Sequence, residues 1–466
     1  MNIQIITAFI IYISILLVSA YLFSKRSKSS SEFILGGRST NYIVTAIALQ
    51  ASDMSHWMFV ALPGIIYACG LIRIWELVGY VLFMFLNWQF VAPRLRRQTK
   101  KLNAITLFSY FEKRFNDTSG LLRITSALIA ILFFTFFISS GLVALGRVFE
   151  SAFGLDYHIG IVVSIFTILT YTLLGGFSGV AWFDFFQGLF AMTVIVIIPI
   201  VAYIKIGNWQ LIIDAIQVKA VPTSILPTKK NISQIISLLL IWGPAYFGQP
   251  QLLSFFMGIK NPKNIKYAKY IGFFWQVIVA TAAICIGLIS AAYFTSGGEM
   301  IVVSLTKTIF SPFIAGFILC AILAATITTL DSQILSAGSA IAEDVYKKVF
   351  KRNATSKQVL WASKIGSLLV AGAALLLSIN TDTSVYAIIH FAWCGMGSAF
   401  GPLVLTALYS QNINKYGAFA GIIVGATATY LLPYITTSIY PLIPSFLLSL
   451  AAIYLVSYGT RSRLQS

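Results

Sequence analysis

The stretch LQASDMSHWMFVALPGII, residues 49–66, places an acid, an imidazole and two hydroxyl groups within a run of apolar side chains. It belongs to an apolar segment, residues 40–69, that is long enough to cross a bilayer as a helix. Pro63 removes a main-chain donor and Gly64 relaxes the backbone. The stretch therefore predicts a membrane helix that is interrupted near the middle of the bilayer.

A second stretch, LLLIWGPAYFGQPQLL, residues 238–253, has the same character, with two prolines and two glycines around Trp242 and Tyr246. Each interrupted span opens a set of five predicted spans. Because five is an odd number of crossings, the two sets run in opposite directions across the membrane. Paired interrupted spans at matching places in two halves indicate a transporter with inverted repeats.

The composition of the 466-residue chain supports a membrane protein, since 58% of residues are hydrophobic and only 10% are charged, against about 25% charged in soluble domains. Lipid cannot satisfy free backbone groups, so the spans must be helices. The sequence predicts an all-α polytopic membrane protein with about 13 spans. These spans are 3–23, 40–69, 74–92, 121–149, 158–176, 183–205, 231–257, 268–294, 310–343, 361–379, 384–409, 416–433 and 441–458.

The spans form a single membrane transport domain over residues 1–466. We expect an extra N-terminal helix at 3–23, a first repeat at 40–205, an inverted second repeat at 231–409 and two extra helices at 416–458. With the N-terminus outside, most of the 32 basic residues fall in cytoplasmic segments. The positive-inside rule therefore explains the net charge of +18 through a lipid bilayer, not nucleic acid, and predicts a plasma-membrane protein with a cytoplasmic C-terminus.

The ionisable residues of the first interrupted span have two interpretations each. Asp53 either supports a cation site, as intramembrane acids commonly do, or caps the broken backbone. His56 either lines a solute cavity and gates protons, or is a satisfied interior imidazole. The aromatic residues Trp57, Trp242 and Tyr246 either pack or bind solute.

The ninth span supplies a possible partner in the stretch LAATITTLDSQILSAGS, residues 323–339. Ala325, Thr328 and Thr329 lie on one helical face. Hydroxyl groups are common in packed membrane helices, where they bond back to the same helix. Beside an unwound helix with free carbonyls, however, they would make a set of neutral oxygen ligands for a hard monovalent cation.

The other polar groups of the spans are expected to have ordinary roles. Glu76 and Asp184 lie near span ends, where interfacial water can hydrate them. The cysteines are interpreted as buried apolar fillers; they are Cys69, Cys285, Cys320 and Cys394. The sequence shows no phosphate-binding Gly loop, zinc-type cluster or nucleophile–base pair, so neither an enzyme nor a cofactor is expected.

Several motifs together resemble the sodium:solute symporter family, in particular its bacterial sodium/proline symporters. The resemblance runs in matching order from about residue 30 to residue 430. The motifs are FILGGRS (33–39), ALQASDMSHWMFVALPG (48–64), IWGPAYFGQP (241–250), AATITTLDSQILSAGSAIAEDVY (324–346) and FAWCGMGSAFGPLVL (391–405).

The resemblance implies three groups of site residues. The sodium ligands would be the main-chain oxygens of Ala51, Met54 and Ala325 and the hydroxyls of Thr328 and Thr329. Residues that support or couple the ion site would be Asp53, Ser55, Arg38 and Asp184. Residues at the solute pocket would be Trp57, His56, Phe137, Trp242, Tyr246 and Pro250.

Three positions depart from the pattern of the proline branch. His56 stands where that branch has glycine, Phe137 where it has an aromatic hydroxyl, and Cys394 where it has alanine. An imidazole in place of glycine removes volume and adds a polar contact. The departures leave the sodium ligands intact and allow a solute other than proline.

The resulting hypothesis is a secondary transporter that couples sodium to the uptake of a small solute, L-proline or a related amino acid, by alternating access. One alternative is a proton-coupled symporter in which Asp53 or His56 carries the proton. The neutral hydroxyls of Thr328 and Thr329 favour sodium, because they do not carry protons. The other alternative is a receptor that binds solute without transport; the absence of a soluble output domain from the sequence argues against it.

Overall fold

The computed structural model describes residues 3–23, 29–219, 231–379, 384–435 and 440–461. Within these residues the chain is helical, and its single β-type contact is an isolated bridge between Thr40 and Ile259. The α-helices are α1 (Ile3–Phe23), α2 (Ser30–Leu35), α3 (Tyr42–His56), α4 (Leu62–Cys69), α5 (Ile74–Leu86), α6 (Ala92–Lys101), α7 (Leu107–Arg114), α8 (Leu121–Val148), α9 (Tyr157–Ile206), α10 (Trp209–Val218), α11 (Ile232–Leu240), α12 (Pro250–Gly258), α13 (Ile265–Tyr293), α14 (Ile301–Ile309), α15 (Pro312–Ser339), α16 (Ser356–Ser378), α17 (Val385–Tyr409), α18 (Lys415–Ile435) and α19 (Leu442–Gly459).

Short 3₁₀ and π segments join several of these helices into longer rods. The 3₁₀ segments are Gly36–Arg38, Leu71–Arg73, Pro244–Gly248 and Pro262–Asn264, and the π segments are Trp57–Ala61, Asn87–Val91, Phe149–Phe153 and Ala340–Phe350. In the described part of the chain, nine rods are long and apolar enough to cross a membrane. The all-helical membrane fold is thus confirmed, whereas the count of 13 spans stays a prediction.

Helix α9 combines two predicted spans, 158–176 and 183–205, in 50 residues. A straight helix of this length would measure about 75 Å, against a hydrocarbon core of about 30 Å. Its one non-helical residue is Gly176, with φ 55° and ψ −163°, a conformation open mainly to glycine. We therefore interpret α9 as two crossings divided at Gly176, with less loop between them than the sequence indicated.

The first interrupted span is confirmed. Ser55, the second-last residue of α3, has φ 50° and ψ −178°, so the regular helical backbone is broken just before the π segment Trp57–Ala61. Positive φ in a residue other than glycine costs on the order of 1–3 kcal/mol and persists only where the surroundings impose it. After the break the chain continues through the π segment into α4, which has Pro63 in its first turn.

The second interrupted span is confirmed as well. Helix α11 ends at Leu240, a 3₁₀ segment follows over Pro244–Gly248, and α12 begins at Pro250. Gln249, between them, is extended at φ −90° and ψ 100°. The prolines stand at the first positions of the 3₁₀ segment and of α12, where the missing amide hydrogen does no harm.

Helix packing brings the breaks together in the interior. Helix α3 packs against α9 and α15, and the second break packs against α17. Helix α1 packs on α9 and α15, whereas α18 and α19 pack on each other and on α17.

The expectation that all four cysteines are buried was wrong. Cys69, the last residue of α4, is exposed and Cys285 is partly exposed, whereas Cys320 and Cys394 are buried.

Candidate functional site

Oxygen atoms of α3 and α15 converge where α3 breaks. The Thr328 hydroxyl lies 3.0 Å from the main-chain oxygen of Ala51 and 3.0 Å from that of Ala325. The Thr329 hydroxyl donates to the Ala325 oxygen at 3.3 Å. All of these residues are buried. We call this group, Ala51, Ala325, Thr328 and Thr329, the oxygen cluster; its neutral oxygens are the ligand type that suits an alkali cation beside an unwound helix.

Met54, the fifth predicted ligand, lies at the same break and is fully buried. Its main-chain oxygen accepts the amide hydrogen of Trp57, and its sulfur accepts a hydrogen bond from Nε1 of Trp275 at 3.2 Å. The structure places Met54 at the end of α3, but it shows no contact of its main-chain oxygen with the threonines. A carbonyl oxygen has two lone pairs, so a second partner is still open to it.

The Asp53 side chain, on α3, joins the two interrupted spans. Its Oδ2 accepts hydrogen bonds from the hydroxyls of Tyr246, at 2.6 Å, and of Tyr80. Its Oδ1 receives none from the described residues. Tyr246 was predicted as a site residue, whereas Tyr80 was not. A tyrosine hydroxyl in the apolar run of α5 was the available signal, since a buried hydroxyl requires a partner.

Two further contacts fix the broken segment. The hydroxyls of Ser52 and Ser332 share a hydrogen bond of 2.6 Å, which ties α3 to α15. Ser55 and Nδ1 of His56 share one of 2.7 Å, and Nε2 of His56 has no partner among the described residues. His56 is fully buried beside the break.

A narrow cavity, here called the solute cavity, lies beside the oxygen cluster. It is lined by Ser52, Asp53, Trp57, Tyr80, Phe137, Trp242, Gln251, Leu252, Thr329, Gln333, Ile389 and Trp393. The predicted solute residues Trp57, Phe137 and Trp242 are among them. His56 and Tyr246 are not among the lining residues, and Pro250 lines a neighbouring cavity.

Aromatic rings close the solute cavity on the side of α17. Trp57 and Trp242 stack at 5.8 Å, and Trp242 also meets the rings of Tyr386 and His390 edge-on, at 5.4 and 5.1 Å. The main-chain oxygen of Trp242 accepts a hydrogen bond from Nε1 of Trp393 at 3.0 Å. These contacts join the second break to α17.

The expectation of interfacial water for Glu76 was wrong. Its carboxylate is 2% exposed, pairs with Arg73 at 2.8 Å and accepts a hydrogen bond from Nε1 of Trp242 at 3.3 Å. Hydropathy gave its place near the end of a span but not the neighbouring α11–α12 segment that covers it.

Asp184 is fully buried too, against the same expectation. Its carboxyl group lies against that of Asp331, on α15, whose Oδ2 accepts a hydrogen bond from the hydroxyl of Tyr171 at 2.7 Å. Neither Asp184 oxygen receives a hydrogen bond from a described donor. Because Asp331 is three residues after Thr328 on α15, the acid pair adjoins the oxygen cluster.

Arg38 lies apart from the cluster. Its guanidinium donates to the main-chain oxygens of Met257, Thr99 and Ala104 at 3.1, 3.1 and 2.6 Å, which ties the loop before α3 to the ends of α6 and α12. Burial, with a smaller effect of the Arg96 cation, lowers the pKa of Arg38 to about 10. The residue therefore stays charged at neutral pH and holds α3 from its end distant from the break.

Two carbonyl oxygens of the second break accept hydrogen bonds from amide side chains. The Tyr246 oxygen accepts from Nδ2 of Asn87 at 3.1 Å, and the Ala245 oxygen accepts from Nε2 of Gln249 at 3.1 Å. At the first break the Ala51 oxygen meets a threonine hydroxyl instead. The two breaks thus differ, and the first one offers the cation-type ligand set.

Comparison with known proteins shows the family of the chain. The sodium:solute symporter family profile matches residues 33–425. The chain is 40% identical to the osmoregulated proline transporter of Bacillus subtilis strain 168, over 99% of this chain and 96% of that protein. It is 35% identical to the sodium/proline symporter of Escherichia coli K12, over 95% of this chain and 90% of that protein.

A solved structure supports the fold. The outward-open, substrate-bound state of a Na⁺-coupled sialic acid symporter has a TM-score of 0.82 and 20% sequence identity, over 98% of this chain and 97% of that one. It supports the helical architecture of this chain. The chain therefore belongs to the sodium:solute symporter family, whose members are membrane transport proteins and not enzymes.

Proposed function

We propose that this chain carries proline or a closely related amino acid into the cytoplasm together with sodium, with its N-terminus outside the plasma membrane. The observation that carries the proposal is the Thr328 hydroxyl at 3.0 Å from the Ala51 oxygen, across the break of α3. The names of the relatives, proline transporter and sodium/proline symporter, support the choice of solute and ion.

Sodium would bind between the break and α15, with the oxygen cluster and the Met54 oxygen as ligands. The Thr328 hydroxyl can keep its proton on the Ala325 oxygen, 3.0 Å away, while its own oxygen and that of Ala51 face the ion. The ion would then hold the two helices together as a ligand shared by both. The Asp53 carboxylate, next to the break, favours a positive charge there.

Solute would bind in the solute cavity, whose wall includes Asp53, Trp57 and Thr329. These residues belong to, or adjoin, the segments that sodium would fix. Sodium therefore prepares the cavity wall, and by thermodynamic linkage the solute must raise the affinity for sodium by the same factor. The membrane potential contributes about 2.3 kcal/mol per charge per 100 mV to inward movement.

The repeats at 40–205 and 231–409 would open the cavity alternately to the two sides of the membrane. Each contains one of the two breaks, and we infer that the interrupted helices rock against the rest as the cavity changes sides. The aromatic contacts of Trp242 with α17, and the neighbouring cavity that includes Pro250 and Ser332, fit a state closed on the outer side. Asp184 would act on the ion site through Asp331 on α15.

The test is uptake of radiolabelled proline by proteoliposomes, with other amino acids and small carboxylates compared in parallel. An inward sodium gradient should drive proline accumulation, and potassium with an inward proton gradient should not. Accumulation that persists without sodium would support the proton-coupled alternative and overturn the proposal. Binding of solute with no uptake under any gradient would favour a receptor instead.

A further inference from the structure

The wall of the solute cavity contains three amide atoms, on two glutamines, that have no hydrogen-bond partner among the described residues. Gln333 on α15 is fully buried, and neither its Oε1 nor its Nε2 has a hydrogen-bond partner. Gln251 on α12 is 2% exposed, and its Oε1 has none. Buried polar atoms without partners are rare because desolvation is costly, so a group that binds there is the natural explanation.

The orientation of the Gln251 amide follows from its neighbour. Nε2 of Gln249 donates to the main-chain oxygens of Ala245 and Trp393, both at 3.1 Å, so its amide orientation is fixed. Its Oε1 then accepts from Nε2 of Gln251 at 3.4 Å. Gln251 consequently presents an acceptor, Oε1, to the cavity.

The indole and phenol donors of the wall are already engaged. Nε1 of Trp57 donates to the Asp53 main-chain oxygen, and the Tyr80 hydroxyl donates to the Asp53 carboxylate. Nε1 of Trp393 donates to the main-chain oxygen of Trp242, and Nε1 of Trp242 donates to the Glu76 carboxylate. Among the described lining residues, the amide nitrogen of Gln333 is the donor atom that has no hydrogen-bond partner at all.

The charge of the wall points to a positively charged group in the solute. Asp53 is its one acidic side chain, its Oδ1 is unpartnered among the described residues, and no lysine, arginine or histidine is among the lining residues. The rest of the wall is mainly aromatic and aliphatic. A compact apolar body that bears both an ammonium and a carboxylate would match these features.

From this arrangement we infer that Gln333 and Gln251 are solute-binding residues that distinguish the two ends of a zwitterion. Gln333 Nε2 donates to the solute carboxylate, while Gln251 Oε1 and Asp53 Oδ1 accept from the ammonium. The inference rests on the proposed function and narrows it to solutes that carry both groups. Neither glutamine was identified from the sequence.

The test combines a substitution in the protein with a deletion in the solute. Inhibition of sodium-driven proline uptake in proteoliposomes is measured for proline, for pyrrolidine, which lacks the carboxylate, and for tetrahydrofuran-2-carboxylate, which lacks the ammonium. Gln333→Met should weaken proline and the carboxylate about tenfold or more and pyrrolidine less than about twofold. Gln251→Met should weaken proline and pyrrolidine and leave the carboxylate unchanged.

Gln276→Met is the matched control, because Gln276 is a buried glutamine that bonds to Gln50 outside the cavity. It should preserve the order of the three inhibitors. If Gln333→Met does not fold, Gln333→Asn, which keeps the amide but withdraws it from the cavity, should show the same selectivity. The sodium concentration for half-maximal uptake at saturating proline should stay unchanged in both variants.

Equal losses for all three compounds would assign the glutamines a structural role and overturn the inference, as would full proline affinity in Gln333→Met. Both results leave the proposed function standing, because the wild type still takes up proline with sodium. A wild type that takes up no amino acid at all would instead overturn the proposed function, and this inference with it.

Discussion

The hydroxyl of Thr328 on α15 lies 3.0 Å from the main-chain oxygen of Ala51 on α3, although 277 residues separate them along the chain. The contact lies about one turn before the break of α3 at Ser55, beside a helix face of α15 that carries two threonines. The contact links the unusual backbone of the first interrupted span to the ion coupling proposed for the chain.

Thr328→Ala should weaken sodium binding with little effect on folding. The substitution removes one hydroxyl ligand, and a hydrogen-bond-like contact to a charge is worth about 1.5–3 kcal/mol. The sodium concentration for half-maximal proline uptake should therefore rise about tenfold or more. Thr328→Ser, which keeps the hydroxyl, should stay near the wild type.

Thr326→Ala provides the control on the same helix, since the Thr326 hydroxyl donates at 3.0 Å to the Ile322 oxygen of α15 itself. It should leave the sodium dependence unchanged. Equal shifts for Thr326→Ala and Thr328→Ala would show that the effect comes from the helix and not from a ligand.

Asp53→Asn should also weaken sodium dependence, by about tenfold or more, because it removes the negative charge while it keeps an acceptor for Tyr80 and Tyr246. The measurement is again the sodium concentration for half-maximal uptake. Asp214→Asn, at an exposed position where the carboxylate bonds to Gln210, is the matched control. Unchanged sodium dependence in Asp53→Asn would remove Asp53 from the ion site.

Glu76→Gln should lower the thermal unfolding midpoint in detergent more than Glu299→Gln does. Glu76 is 2% exposed and pairs with Arg73 at 2.8 Å, so its loss leaves a largely buried cation unpaired, at a cost of about 3 kcal/mol. Glu299 pairs with Arg147 at 3.2 Å, but both side chains are about 30% exposed, and such pairs contribute at most about 1 kcal/mol. Equal midpoints would mean that water reaches the Glu76 pair.

Gly248→Ala should sharply reduce the yield of folded protein. A Cβ at position 248 would lie 2.4 Å from the Gly401 nitrogen and 2.8 Å from the Met396 oxygen, and these backbone atoms of α17 cannot move aside cheaply. The measurement is the monodisperse fraction in size-exclusion chromatography. Gly372→Ala, on α16 where a Cβ would meet nothing within 4 Å, should equal the wild type. A normal yield for Gly248→Ala would show that the second break and α17 pack more loosely than described.

The first break was attributed to Pro63 and Gly64, but the structure places it at Ser55, and α4 runs through Pro63 and Gly64 as a regular helix. The second break could be predicted from sequence because its cause is local: Pro244 and Pro250 each change the backbone at their own positions. The helix face of Ala325, Thr328 and Thr329 could be predicted for the same reason, since helical periodicity fixes it. The joint position of that face and the first break came from the family resemblance.

The remaining site residues depend on contacts between distant segments. Tyr80 on α5 bonds to Asp53 on α3, and Asp331 on α15 lies against Asp184 on α9. Gln333 on α15 lines the cavity together with Gln251 on α12. Nothing in the apolar run around Tyr80 indicates which helix its hydroxyl meets. Hydropathy gives the position of a residue within a span but not the helices around it, and this is why Glu76 and Asp184 were expected in water.

Binding of ²²Na⁺ to the purified protein tests the central claim most directly. The wild type should bind sodium at a saturable site, and Thr326→Ala should bind it equally well. The double variant Thr328→Ala/Thr329→Ala should lose that binding while it remains folded and monodisperse. Saturable sodium binding of unchanged affinity in the double variant would contradict the account.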